Sequence, residues 1–432
     1  MPASSSAPAA LATSPPLPGL AGGGFGRSLV PSLVDQGLTS LQSFSMAVAL
    51  IKLTGPAVFG QFVFVFTLVM IVASFQNALT GIPLLVHVAA WSGEARRAGL
   101  ATVLAADRRC RAAAALLVAA AATAVTADPV AILAAGLFCL AHLSRETARN
   151  ILFASGAGDR AAALSAVTFA VFAPVFAGGI WAGFPLAAPF AAAAAGIFTA
   201  LAVIRVPGAA RRDRAPGVRQ LAAAYRRAFP GLGWRLAQSA SNEAQTRSHV
   251  FALTAWRGVD QVGLLEAGRV LWAPLVVLYQ TWQKVAQPRL AALVARGETR
   301  AALHLTLGSV GALGVAAALY AAALLSLWAP LSTALFSSFA DIRPFAVGWL
   351  VYTVLLLANW MLIALLNAQR RFRTVALAGG VSAGLTALGL VALVLPVPLG
   401  TALGVLIAVQ AVMLLGFCAI LVRAPGAKEA QP

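Results

Sequence analysis

Charge is scarce in this sequence: Asp, Glu, Lys and Arg together make up 10% of its 432 residues, against 60% hydrophobic residues. No soluble class of protein has that balance, and the mean hydropathy of +0.86 points to lipid as the solvent. Cysteine is scarcer still. Cys110, Cys139 and Cys418 stand alone, without CxxC or Cys/His spacing, which excludes a disulfide framework and a thiolate metal site. The chain carries no P-loop, so ATP hydrolysis by that chemistry is excluded. No Ser/His/Asp or paired-carboxylate arrangement falls in an aqueous loop, and the non-cytoplasmic loops are short and hold few acids or histidines beyond Asp128, Asp260 and Asp341. These gaps predict a protein that is not an enzyme and needs no cofactor or metal.

Apolar runs long enough to cross a bilayer, roughly 20 residues each, recur from position 29 almost to the end. They predict an all-α polytopic membrane protein with helices near 29–51, 57–87, 102–126, 129–155, 162–181, 184–206, 229–256, 260–287, 301–328, 344–368, 374–396 and 400–423. That is about twelve transmembrane helices in two six-helix lobes. The lobes are 29–206 and 229–423, joined by a basic linker over 207–228. Residues 1–28 and 424–432 read as tails, and the Ala-, Ser-, Pro- and Gly-rich start lacks the basic-then-apolar order of a signal peptide.

A net charge of +18 would point to nucleic acid in a soluble protein. Here the basic residues sit in short connections between apolar runs, so a nucleic-acid partner is not expected. Short cytoplasmic loops collect Arg and Lys. One side of the predicted topology holds 25 of the 31 basic residues, including Arg96, Arg97, Arg108, Arg109 and Arg111, then Arg145, Arg149 and Arg160, and seven arginines from Arg205 to Arg227. The opposite loops hold only Lys52, Arg257 and Arg343. Both termini are therefore expected in the cytoplasm. Only Lys52, Lys284 and Lys428 among the basic residues are lysines, which with the Ala-rich spans points to a GC-rich bacterial genome; for a bacterial chain of this hydropathy the expected location is the inner membrane.

A shift of 203 residues pairs Gln42 with Gln245, Ala49 with Ala252, Leu50 with Leu253, Gly55 with Gly258 and Gly60 with Gly263. The shift spans six helices, an even number, so the halves share one orientation and form a parallel repeat about an axis along the membrane normal.

The seventh predicted helix is the most polar. At about 100° per residue, Arg235, Gln238, Asn242, Gln245, Thr246 and His249 fall on one stripe, which should line a central path because polar groups in hydrocarbon are costly without a cavity or a partner. Glu243 and Arg247 stand at i, i+4, and Glu266 and Arg269 at i, i+3. Each pair is either a self-neutralised structural unit or part of the path. The first helix presents Asp35, Thr39, Gln42, Ser43 and Met46 on one face as the partner stripe. Asp35 either couples transport to protons or pairs with a facing arginine, and Glu243 is the second candidate for ion coupling. His249 is either a proton-coupling group or a hydrogen-bonded lumen histidine. Asn77, Asn359 and Asn367 are candidates for bonds across helix interfaces, and Pro83, Pro274 and Pro288 for kinks.

The polar first helix with its following turn, Gly60 and Pro83, together with the counterpart segment from Gly233 through Gly263 to Pro288, resembles the Wzx-type polysaccharide or oligosaccharide flippases. That family lies in the superfamily of multidrug extruders and lipid II flippases, and the twelve-helix, two-lobe plan covers nearly the whole chain. The resemblance implies a V-shaped pair of lobes around a partly cationic cavity. It implies passage of an undecaprenyl-diphosphate-linked oligosaccharide from the cytoplasmic to the periplasmic leaflet by alternating access, alongside a polysaccharide polymerase or glycosyltransferase system. On that view Arg235, Arg247 and Arg269 meet the diphosphate or acidic sugars, and Gln and Asn side chains meet sugar hydroxyls. An ion-coupled exporter of small amphiphiles is the alternative on the same architecture.

Overall fold

The computed structural model describes residues 24–84, 93–207, 219, 220, 222, 223, 225, 229, 232–339, 341–391 and 398–423. Most of the basic linker and most of both predicted tails lie outside them.

All regular structure among the described residues is helical. The first lobe comprises α1 (Gly24–Leu53), α2 (Pro56–Gln76), α3 (Gly93–Ala122), α4 (Pro129–Ala154), α5 (Gly158–Trp181) and α6 (Ala187–Val203). The second comprises α7 (Leu232–Arg257), α8 (Val259–Val270), α9 (Ala273–Ala295), α10 (Thr299–Ser326), α11 (Trp328–Leu335), α12 (Arg343–Ala368), α13 (Phe372–Val391) and α14 (Gly400–Arg423). Local chemistry fixes several boundaries. Asp128 caps α4 by accepting from the Val130 N–H at 2.9 Å, with Pro129 at the first position, where its missing N–H costs nothing. Gly258, the one residue between α7 and α8, has φ of +91°, which a side chain would strain.

Among the described residues, seven helices are long and apolar enough to cross a membrane unaided, and the bent pair α8/α9, taken as one span, makes an eighth. This is a multi-pass membrane protein. The other predicted spans correspond to α1, α3 and α7, which fall short in apolarity, and to α6, which has only 17 residues. Two differences from the expected helix order stand out. The helix expected over 260–287 breaks into α8 and α9, which meet at 57°. Pro274 has no N–H to give to the Val270 carbonyl one turn before it, the Leu275 N–H donates to the Trp272 carbonyl at 3.1 Å, and the Leu271 carbonyl at the break accepts from the Tyr320 hydroxyl at 2.9 Å. The short helix α11 is also additional to the twelve. It marks an insertion: Pro56 and Val259, which open α2 and α8, are 203 positions apart, whereas Pro129 and Arg343, which open α4 and α12, are 214 apart.

The repeat has a physical counterpart where the lobes meet. A Cβ built at Gly60 would lie 1.8 Å from the Val259 carbonyl oxygen, and one built at Gly263 would lie 1.9 Å from that of Pro56. Val259 is the repeat partner of Pro56, so the contact is reciprocal, as an interface about a two-fold axis must be. Phe59 against Phe339 and Phe64 against Phe251 extend it with edge-to-face ring pairs. The lobes therefore touch, backbone to backbone, at the end of the bundle away from the start of α1.

Candidate functional site

Toward the opposite end, where α1 begins and α14 finishes, the lobes enclose a cavity of about 400 Å³. Arg235, Gln238, Asn242 and Gln245 face it from α7, and Gln280, Gln283 and Gln287 from α9. Asn359 and Asn367 come from α12 and Gln410 from α14, while Ser74, Asn77 and Ile82 represent the first lobe. The spacings explain the convergence. Residues 238, 242 and 245, and again 280, 283 and 287, follow the i, i+3 or i+4, i+7 pattern that puts side chains on one helix face. Asn77 sits where α2 widens into a π-helical turn over Asn77–Gly81, a distortion often associated with functional sites.

Among the described residues of the lining, ten are Asn or Gln, one is charged and none is acidic. The charge is Arg235, which has no carboxylate partner among the described residues and rests over the Phe372 ring at 5.9 Å. Tyr279 and Trp360 form an aromatic wall, with ring centroids 5.2 Å apart. Several amides are held in place. Gln245 donates to the Gly379 carbonyl at 2.9 Å, and Gln36 of α1 donates to Gln280 at 2.6 Å across the lobes. Asn359 is buried, and its Nδ2 donates to both the Gln410 backbone carbonyl and Gln410 Oε1 at 2.9 Å. A carbonyl can only accept, so the Asn359 amide is fixed with Oδ1 turned away from that pair, and Oδ1 has no partner.

The remaining predicted residues do not line this cavity. Asp35 is buried inside the first lobe, where it pairs with Arg149, accepting from Nε at 3.1 Å, and accepts from the Ser165 hydroxyl at 2.5 Å. Thr39 accepts from Arg145, which also reaches Ser165 at 2.9 Å, and Glu146 binds Arg149 at 2.8 Å. Arg145 and Arg149, expected at a cytoplasmic loop, thus turn inward from α4. Gln42 is buried on the same helix face as Asp35. In the second lobe Glu243 and Arg247 pair at 2.6 Å, within one helix as their spacing predicts. Glu266 binds Arg269 at 3.1 Å and also His249 Nε2 at 2.8 Å, and the Arg269 guanidinium lies 5.2 Å from the Trp349 ring centroid. His249 is fully buried in this cluster, and Thr246 donates back to the Asn242 carbonyl. The amide stripe on α9 is not among the expected path residues, although Gln280, Gln283 and Gln287 have the same helical spacing that marks the stripe on α7.

No family model and no curated protein matches the chain. Solved structures do. The inward-facing form of a multidrug resistance MATE family transporter of the MOP superfamily superposes with a TM-score of 0.62 at 13% identity, covering 93% of this chain and all of that one. An outward-facing MATE transporter of the same superfamily gives 0.59 at 13% identity over 92% and 94%. A MOP superfamily transporter from Pyrococcus furiosus, described as having a binding pocket of reverse polarity, gives 0.58 at 13% identity over 93% and 96%. The chain has the two-lobed fold of the MATE transporters of the MOP superfamily.

Proposed function

We propose that this protein translocates a lipid-linked oligosaccharide from the cytoplasmic to the periplasmic leaflet of a bacterial inner membrane by alternating access. The composition of the cavity carries the reading: ten carboxamides, an aromatic wall and one unpaired guanidinium. A sugar hydroxyl both donates and accepts, and so does a carboxamide. The faces of Tyr279 and Trp360 offer a platform for the apolar side of a pyranose ring. A guanidinium meets a phosphate with two parallel hydrogen bonds. With both termini cytoplasmic, as the arginine distribution indicates, the cavity lies on the cytoplasmic side and the Gly60–Gly263 contact closes the periplasmic side.

The second reading, an ion-coupled exporter of small amphiphiles, draws support from the aromatic wall and from the multidrug transporters that share the fold. A cationic amphiphile about 8 Å from Arg235 would meet roughly 2 kcal/mol of repulsion at an effective dielectric constant near 20. The cavity lining offers no carboxylate to offset it. Deleting the gene in its host and weighing undecaprenyl-linked intermediates by mass spectrometry tests the choice. A complete lipid-linked repeat unit should accumulate as surface polymer is lost. Unchanged glycans with altered tolerance to cationic drugs would overturn the proposal in favour of the exporter.

A further inference from the structure

We infer that the cavity selects an uncharged glycan: it reads neutral sugar hydroxyls through its amides and admits one anionic group, the diphosphate, at Arg235. The inference rests on the translocation reading above and adds the chemical class of the sugars. Three helices carry the amides in register. Gln238, Asn242 and Gln245 run along α7, Gln280, Gln283 and Gln287 along α9, and Asn359 and Asn367 along α12. At about 1.5 Å per residue each row is about 10 to 12 Å long, more than one sugar ring. Arg235 stands in the first turn of α7, at the end where the bundle's termini lie, whereas Asn359 and Gln410 lie near the middle of their helices. A lipid-linked glycan therefore has its charged linkage near the mouth and its sugars deeper.

The electrostatics give the selectivity. Four other arginines inside the lobes are already engaged: Arg149 by Asp35 and Glu146, Arg145 by Thr39 and Ser165, Arg247 by Glu243, and Arg269 by Glu266. None of these four lines the cavity. Once the diphosphate holds Arg235, a uronic acid carboxylate finds only dipoles among the described lining residues, and transferring a charge from water to dipoles alone is unfavourable. A neutral hydroxyl finds its match in the buried Asn359 Oδ1, an acceptor fixed in orientation by two bonds from the same amide nitrogen and lacking a partner of its own.

The test is isothermal titration of the full-length protein in nanodiscs with four probes. These are farnesyl diphosphate, farnesyl-diphosphate-linked neutral trisaccharide, the same trisaccharide with one glucuronic acid, and tetraphenylphosphonium. The neutral conjugate should bind about tenfold more tightly than farnesyl diphosphate and than the acidic conjugate, the worth of one or two well-made hydrogen bonds. Asn359→Leu should erase that tenfold while keeping affinity for farnesyl diphosphate, which also shows that the variant is folded. Gln238→Leu, at a partly exposed position, should do the same should Asn359→Leu fail to fold. Arg235→Gln should weaken all three diphosphates together. Equal or tighter binding of the acidic conjugate, or neutral-glycan affinity unchanged in both leucine variants, overturns the inference and leaves the flippase reading standing. If no sugar adds affinity and tetraphenylphosphonium binds in competition with farnesyl diphosphate, the flippase reading falls as well.

Discussion

Adding one methyl group at the reciprocal glycine contact should drive the lobes apart at that end. In Gly60→Ala the new Cβ would sit 1.8 Å from the Val259 carbonyl oxygen, and in Gly263→Ala 1.9 Å from that of Pro56. Both opposing atoms are backbone, so neither can swing aside, and α2 and α8 must separate by more than an ångström. Overpacking of this kind costs about 1 to 3 kcal/mol. Here the cost falls on the closed arrangement alone, so the ratio of open to closed should rise about 5- to 150-fold. One separation relieves both clashes, so the double variant should shift little beyond the stronger single one, a clear departure from additivity. Spin labels at Leu53→Cys and Trp256→Cys, exposed positions 203 residues apart, report the opening by pulsed electron resonance distances once Cys110, Cys139 and Cys418 have been replaced. Longer distances in both singles are expected. Unchanged distances in both, or a double variant equal to the sum of the singles, would refute the idea that this contact is the closed gate.

Arg235→Ala should cut glycan export about tenfold or more, the worth of a charge-assisted bond, without changing the melting temperature; full export would remove Arg235 from the path. Arg247→Ala should act differently, lowering the melting temperature by leaving Glu243 unpaired, and Glu243→Gln should restore it in the double variant; equal melting of all three would deny the pair a structural role. Asp35→Asn should cost about 3 kcal/mol, since Arg149 loses one of its two acid partners, with recovery in the triple variant Asp35→Asn, Glu146→Gln, Arg149→Met, which leaves neither acid unpaired. Transport at wild-type level with a shifted pH profile would instead assign Asp35 to proton coupling. Reporter fusions at Gly183 and Gly400 should read periplasmic and one at Asp213 cytoplasmic; any reversal would break the topology.

Much of the fold is legible in the sequence because lipid leaves few options: a backbone crossing hydrocarbon must satisfy its own hydrogen bonds, so long apolar runs are helices. The α7 stripe was legible for the same reason, as polar residues at helical spacing stand out against apolar neighbours. Partners distant in the chain were not. Asp35 and Arg149 are 114 positions apart, and nothing in either segment names the other. Arg145 and Arg149 lie near one end of their span, as loop residues do, yet the packing of α1 and α4 on α5 brings acid and hydroxyl partners within their reach. The break at Trp272 was legible only as Pro274, and proline in a helix fixes neither the direction nor the size of a bend. Single amides such as Asn359 and Gln410 leave no periodic trace, so their meeting across α12 and α14 needed the fold.

The distribution of charge has a mechanical consequence. Each lobe neutralises its own ions: Asp35, Glu146, Arg145 and Arg149 within the first, and Glu243, Arg247, Glu266, Arg269 and His249 within the second. Breaking such a network leaves uncompensated charge in a region of low dielectric constant, so each lobe is expected to move as a unit. The contacts between lobes are of another kind. They include the reciprocal glycines, the ring pairs of Phe59 and Phe64, apolar side chains such as Phe62 and Val262 in the core the lobes share, and the hydrogen bond from Gln36 to Gln280. Neutral contacts of this sort contribute about a kilocalorie per mole each, a range in which a bound cargo can tip the balance between two arrangements. With the ions paired inside each lobe and neutral, largely apolar contacts between them, a separation of the lobes along α2 and α8 would break no ion pair of either network.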